Sequence, residues 1–278
     1  MKIRFYKMQG IGNDYVYINC FESPIENPAK LAVRVSDRHF GIGSDGLILL
    51  CPSETADLKM SMFNADGSEG RMCGNGIRCV GKLAYETGLV DSTEITVETL
   101  SGIRRLRLLT DGGKVSGAQV DMGAPVLEAA KLPALTPERT LVNAPLTVGG
   151  SEYRITCVSM GNPHAVIFTS GIDGLDLQGI GPLFEHHAMF PEGVNTEFAE
   201  LLGKNELKMR VWERGSGETM ACGTGACAVA VAACLNGLVG RAEDVTIRLL
   251  GGSLTIRWEE TCLMTGRAEL VFTGEIEI

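Results

Sequence analysis

Positive charge is scarce in this chain: 25 lysines and arginines stand against 34 aspartates and glutamates over 278 residues, a net charge of -9. Phosphate backbones are gripped by clustered basic side chains, and without such clusters nucleic acid is excluded as a partner. Histidine is scarce too. The four histidines include one adjacent pair, His186–His187, and none of the nine cysteines lies in Cys-x-x-Cys spacing, so no structural zinc motif is present. Long apolar runs are also missing. The 22 residues from Thr219 to Gly240 carry no charge, but their glycines, Asn236 and many alanines make them too weakly apolar for a membrane span. They predict a buried helix. The opening MKIRFYKMQGIGND lacks the apolar core of a signal peptide, which predicts a cytoplasmic protein, and the odd cysteine count fits free, reduced thiols.

What is present is a duplication. Residues 62–90 lie over 211–239 without a gap at an offset of 149, with nine identities that include Glu69/Glu218, Cys73/Cys222, Gly74/Gly223 and Gly76/Gly225. The same offset pairs Gly12-Asn13 with Gly161-Asn162. A chain of this length, 45% hydrophobic, accommodates two medium domains. We therefore expect two pseudo-symmetric halves. Residues 1–122, joined by a C-terminal strand over 268–278, form the first, residues 123–267 form the second, and the active site is expected in the cleft between them.

Alternating segments at 2–5, 15–18, 47–50, 95–97 and 245–247, bounded by Gly, Asn, Asp and Pro, predict strands. Helices are expected to be few. After Cys73, the spacing of Ile77, Val80 and Ala84 predicts a helix closed by Gly88, with Arg78, Lys82 and Glu86 forming a solvated stripe. Its counterpart, Ala226 to Leu235 and closed by Gly237, is apolar on all sides and predicts a helix wrapped by sheet. The fold class is α+β, with a mixed or antiparallel, barrel-like sheet around a central helix in each half. The Pro-rich stretch from 122 to 150 reads as a crossing segment.

Each cysteine is followed by Gly-x-Gly, which lets the chain turn tightly into a helix. Unpaired N–H groups and the positive end of the helix dipole then converge near sulfur. Such a place lowers a thiol pKa or holds a carboxylate beside it. Two such turns facing one carbon suit proton transfer at a stereocentre: one thiolate removes an α-proton and the opposite thiol supplies another, with no cofactor needed. A single Cys-Gly-x-Gly is equally a helix start with a small core cysteine, and a Cys73–Cys222 disulfide is a further alternative.

The segments GIGNDY (10–15), DRHFGIGSDG (37–46), FNADGSEGRMCGNG (63–76), VSMGNPH (158–164), EGVNTEF (192–198) and WERGSGETMACGTGA (212–226) together resemble the diaminopimelate epimerase family over nearly the whole chain. The resemblance implies a cofactor-independent enzyme that interconverts LL- and meso-diaminopimelate for lysine and peptidoglycan precursors. Cys73 and Cys222 match its acid/base pair. Gly74, Asn75, Gly223 and Thr224 match its contacts to the reacting carboxylate, and Asn13, Asn64, Asn162, Asn195, Glu213 and Arg214 its contacts to the distal amino-acid group. His164 and Glu213 match residues that tune the thiols, whereas His39 and His186–His187 are expected to be structural. A homodimer is implied. Where some members carry Gln, this chain has Gly46. The nearest alternative, proline racemase or hydroxyproline epimerase, usually reads Cys-Gly-His-Gly at the first motif and lacks the distal set.

Overall fold

A computed structural model describes residues 2–22 and 24–277. Two units separate by their internal contacts: Met1–Asp121 with Thr265–Ile278, and Met122–Met264. Alternation of buried and exposed residues lays down β1 (Lys2–Gly10), in which Ile3 and Phe5 face inward and Lys2 and Arg4 outward. There follow β2 (Asn13–Asn19), α1 (Pro28–Ser36), β3 (Gly46–Cys51), β4 (Leu58–Asn64), the two-residue β5 (Glu69–Gly70), α2 (Gly74–Glu86), β6 (Glu94–Thr99), β7 (Gly102–Asp111) and β8 (Lys114–Asp121). Strand β2 pairs antiparallel with β1 and parallel with β3; β3 and β4 are antiparallel, β4 and β6 parallel, and β6, β7 and β8 antiparallel in turn.

The second unit runs β9 (Ala144–Val148), β10 (Ser151–Ser159), β11 (Pro163–Phe168), α3 (Leu177–Glu185), β12 (Asn195–Gly203), β13 (Glu206–Glu213), β14 (Gly217–Glu218), α4 (Gly223–Leu235), β15 (Asp244–Leu249) and β16 (Gly252–Trp258). Its pairings repeat those of the first: β10–β11 antiparallel, β11–β12 parallel, β12–β13 antiparallel, β13–β15 parallel and β15–β16 antiparallel. The unit boundary falls within β17 (Cys262–Arg267), after which β18 (Glu269–Glu277) pairs antiparallel with β1. Elements β10, α3, β12 and α4 each begin 149 residues after β1, α1, β3 and α2, so the duplication extends well beyond the cysteine segments.

Each unit curls its sheet about one helix: α2 packs on β1, β2, β3, β7 and β8, and α4 on β10, β11, β12, β13, β15 and β16. Enclosure explains why α4 is apolar all round, with Ala226 to Ala233 buried without interruption. It also corrects one expectation. Arg78 is not on a solvated stripe but fully buried, with its guanidinium donating to the carbonyls of Gly74 (3.0 Å) and Arg267 (3.1 Å). The strands covering that face of α2 leave only Glu86, at the helix end, exposed, while half-buried Lys82 reaches Glu86 at 2.7 Å.

Helices α1 and α3 were not foreseen from sequence, since each has only nine residues and Pro28 or Pro182 interrupts the pattern. Pro28 occupies the first turn, where its missing N–H costs nothing, and the Asn27 side chain caps the N–H of Lys30. The stretch expected to be a crossing segment does more than cross. Ala129, Leu132, Leu141, Leu146 and Val148 enter the core of the second unit beside Phe184 and Phe198. Among the described residues, no helix is long and apolar enough to cross a membrane.

Candidate functional site

Cys73 and Cys222 are the residues immediately before α2 and α4, both in extended backbone conformation (φ -124, ψ 117 and φ -118, ψ 106). Each sulfur acts as the helix cap. Cys73 Sγ accepts the Gly76 N–H at 3.3 Å, and Cys222 Sγ accepts the Gly225 N–H at 3.3 Å. The first N–H groups of each helix, from Gly74 and Asn75 or from Gly223 and Thr224, precede the helix's own hydrogen-bond ladder. An anion placed there meets the positive helix end within reach of a thiol.

The second glycine of each motif has no positive φ, so it serves close packing rather than the turn expected from sequence. A Cβ at Gly225 would lie 2.7 Å from Glu197 Oε1 and 3.2 Å from Cys222 Sγ, and one at Gly76 would lie 2.5 Å from Ile48 Cδ1. Ile48 and Glu197 are themselves 149 residues apart, so the same place beneath the helix start holds an aliphatic side chain in one unit and a carboxylate in the other. Tyr15 and His164, and Asn64 and Glu213, are related in the same way.

Around Cys73 the polar groups form a chain. Its thiol donates to Asn13 Oδ1 at 3.1 Å, and Asn13 Nδ2 donates to Asp45 Oδ2 at 2.8 Å, which turns the amide oxygen toward sulfur. Arg38 joins Asp45 to Asp14, both at 3.0 Å, and buried Lys7 also pairs with Asp14. Burial pushes the Cys73 thiol up; the N–H groups of Gly76 and Asn75, the Tyr15 hydroxyl and the Arg78 charge oppose that rise. Asn64 closes β4, donating to Ser68 Oγ at 2.9 Å.

Around Cys222 the charges are negative. The residue is 4% exposed, Thr224 Oγ1 lies 3.5 Å from its sulfur, and the nearby Glu213 carboxylate accepts from the Thr219 hydroxyl. Burial pushes this thiol well above the ordinary range, and the charges of Glu213 and Glu197 push in the same direction. Burial also raises the Glu213 carboxyl. His164 is wholly buried, with Nδ1 2.6 Å from Glu197 Oε1 and Nε2 3.0 Å from Asn162 Oδ1. Asn195 begins β12, donates to the Pro163 carbonyl at 2.8 Å and accepts the Arg214 N–H at 2.9 Å, so it fixes the turn from which Arg214 projects. Arg214 is exposed and donates to the Glu192 carbonyl at 2.9 Å.

Within the first unit the structure thus brings Asn13 onto Cys73; within the second it links Asn162 to His164 and sets the Glu213 charge near Cys222. Sequence reasoning gave no part in the site to Tyr15, Asp45, Arg78, Glu197 or Thr219. Glu197 was the most detectable of these, because the repeat offset sets a carboxylate against Ile48. At Gly46 a Cβ would meet Phe63 O at 2.2 Å and Tyr15 Cε1 at 2.8 Å, so this backbone leaves no room for a side chain. His187 is structural, with Nε2 3.2 Å from the Thr147 carbonyl and Nδ1 accepting the Met189 N–H at 3.1 Å.

The geometry matches known proteins over its full length. A family model described as diaminopimelate epimerase matches residues 5–128 and 156–271. The diaminopimelate epimerase of Desulfovibrio desulfuricans is 59% identical, with 99% of each chain covered. Among solved structures, a PhzF-family phenazine biosynthesis protein of Bacillus anthracis superposes with a TM-score of 0.72 at 15% identity, covering 100% of both chains. A probable proline racemase of Agrobacterium radiobacter reaches 0.71 at 15% identity, covering 99% of this chain and 93% of its own. These two likenesses are of fold. The match to the family model and the relative at 59% identity are of sequence, and by them the chain belongs to the diaminopimelate epimerase family and is an isomerase.

Proposed function

We propose that the protein interconverts LL- and meso-diaminopimelate by a two-thiol mechanism without a cofactor, serving the synthesis of lysine and peptidoglycan precursors in the cytoplasm. The observation that carries this reading is the pair of sulfur-capped helix starts at matching positions of a duplicated unit. In the reaction, one thiolate takes the α-proton and the C–H electron pair remains on carbon, delocalised into the carboxylate. The thiol on the opposite face then returns a proton, which inverts the centre. The N–H groups of Gly74, Asn75, Gly223 and Thr224 hold that carboxylate and stabilise its growing charge. Asn13, Asn64, Asn162, Asn195, Glu213 and Arg214 would bind the distal zwitterion: a cation for its carboxylate, an anion for its ammonium, and amides for either.

Burial raises both thiols, but the local charges make Cys73 the readier of the two to ionise, since Arg78 lies near it, whereas Glu213 and Glu197 oppose the ionisation of Cys222. Glu213 and the His164–Glu197 pair would then hold Cys222 protonated until substrate arrives. We further propose a homodimer, which sedimentation velocity would distinguish from a monomer. The activity is tested by incubating reduced protein with LL-diaminopimelate in deuterium oxide. Deuterium should appear at the α-carbon together with meso product resolved by chromatography. Turnover of free proline alone, or no exchange with either substrate, would overturn the reading.

A further inference from the structure

Two cysteines outside the candidate site meet across parallel strands. Strand β2 pairs with β3 in a register that sets Asn19 opposite Leu50, and the ladder continues one step through the Cys20 N–H to the Leu50 carbonyl at 2.8 Å. Cys20 and Cys51 are the next pair. Neighbouring strands lie about 4.8 Å apart, inside the roughly 4.4–6.8 Å range of Cα separations that a disulfide spans. Both residues are half-buried free thiols that cover the edge of an apolar cluster containing Phe5, Ile18 and Phe63. Lys59 sits directly opposite Cys51 in the β3–β4 register.

We propose that Cys20 and Cys51 form a redox-active dithiol that hydrogen peroxide converts to a disulfide and a thiol reductant restores. The neighbouring Cys20 thiol, with the Ser61 hydroxyl and the Lys59 charge, brings the Cys51 thiol down to about 7 against the rise that burial would cause. Cys73 and Cys222 shift the opposite way. At neutral pH, Cys51 therefore carries on the order of ten times the thiolate of an ordinary cysteine, and thiolate is the form that attacks peroxide. Cys51 sulfur attacks one peroxide oxygen; the O–O bond breaks, the departing oxygen leaves as water, and Cys51 becomes a sulfenic acid. Cys20 sulfur then attacks Cys51 sulfur. The S–S bond forms, the S–O bond breaks, and the hydroxyl takes the Cys20 proton to leave as a second water. Two thiols lose two electrons to one peroxide.

The test exposes the reduced, full-length protein to stoichiometric hydrogen peroxide, followed by iodoacetamide, trypsin and mass spectrometry without reductant. The expected product joins the peptide of residues 8–30 to that of residues 39–59, disappears with dithiothreitol, and forms roughly tenfold faster than oxidation of Cys73. In Cys20→Ser, dimedone should trap the sulfenic acid on Cys51. Cys51→Ser should form no link while keeping the unoxidised protein's rate of α-proton exchange. Recovery of both Cys20 and Cys51 as alkylated thiols at a dose that oxidises Cys73 would overturn the proposal, as would dimedone labelling absent from Cys51 in Cys20→Ser.

Discussion

Neutralising the carboxylate at residue 213 is expected to release Cys222 toward its thiolate. Glu213 is half-buried beside Cys222, and its charge is the strongest electrostatic influence that raises that thiol. Two unit charges about 4 Å apart interact by about 4 kcal/mol at an effective dielectric near 20, which sets an upper bound. Burial pushes the Glu213 carboxyl up, and solvent reaching this half-buried group screens its charge, so the net effect falls below that bound. The expected net effect is on the order of 1.4 kcal/mol, or about one pKa unit and tenfold more thiolate at a fixed pH. Glu213→Gln is the suitable change, since its amide still reaches Thr219 and keeps the volume. The assay is substrate-free alkylation by iodoacetamide, with the rates at Cys73 and Cys222 followed separately by peptide mass spectrometry across pH. In the unaltered protein Cys73 should react first; in Glu213→Gln the Cys222 rate should rise about tenfold while that of Cys73 holds. A Cys222 rate that stays the same or falls would refute the electrostatic account, and faster labelling of Cys222 in the unaltered protein would refute the assignment of the resting thiol.

Replacing either Cys73 or Cys222 by Ala should lower epimerisation by at least 10²–10⁴-fold, the usual worth of a positioned acid or base, with an unchanged circular dichroism spectrum; retained turnover in either variant counts against the pair. Because burial raises both thiols, the form that abstracts a proton is scarce at neutral pH and gained as pH rises, so the rate should still be climbing above about 8.5, the ordinary thiol value. A pH–rate profile already flat at neutrality would contradict that sign. Gly225→Ala should destabilise by roughly 1–2 kcal/mol in urea titration: overpacking against the Glu197 carboxylate, held by His164, outweighs the roughly 1 kcal/mol that Ala adds in a helix. Gly76→Ala should cost less, because the Ile48 methyl it meets can move, and equal losses in the two variants would refute the distinction.

Much of the chemistry was written in local patterns. Cys-Gly-x-Gly followed by a periodic or wholly apolar run is a helix start in any setting, and both α2 and α4 begin where those motifs put them. The wholly apolar character of α4 even foretold its enclosure by sheet. Arg78 shows the limit of such reading: its i, i+4, i+8 spacing with Lys82 and Glu86 marks a polar stripe, but spacing carries no information about which strands will cover it. Helices α1 and α3 escaped notice because nine residues with an internal or leading proline present too few periods; they are held by Asn27 and Asp176 caps and by burial of Leu31, Val35, Leu177 and Phe184.

The sequence by itself determined the duplication, the two cysteines and the Gly-x-Gly that follows each, because identity at a fixed offset is a property of the chain alone. Only the tertiary structure decided how the two copies differ. It set Asn13 and Arg78 about one sulfur and Glu213 and Glu197 about the other, and folded Cys20 against Cys51. A thiol's acidity depends on burial and on charges brought from distant parts of the chain, and both exist only once the strands have closed around their helix.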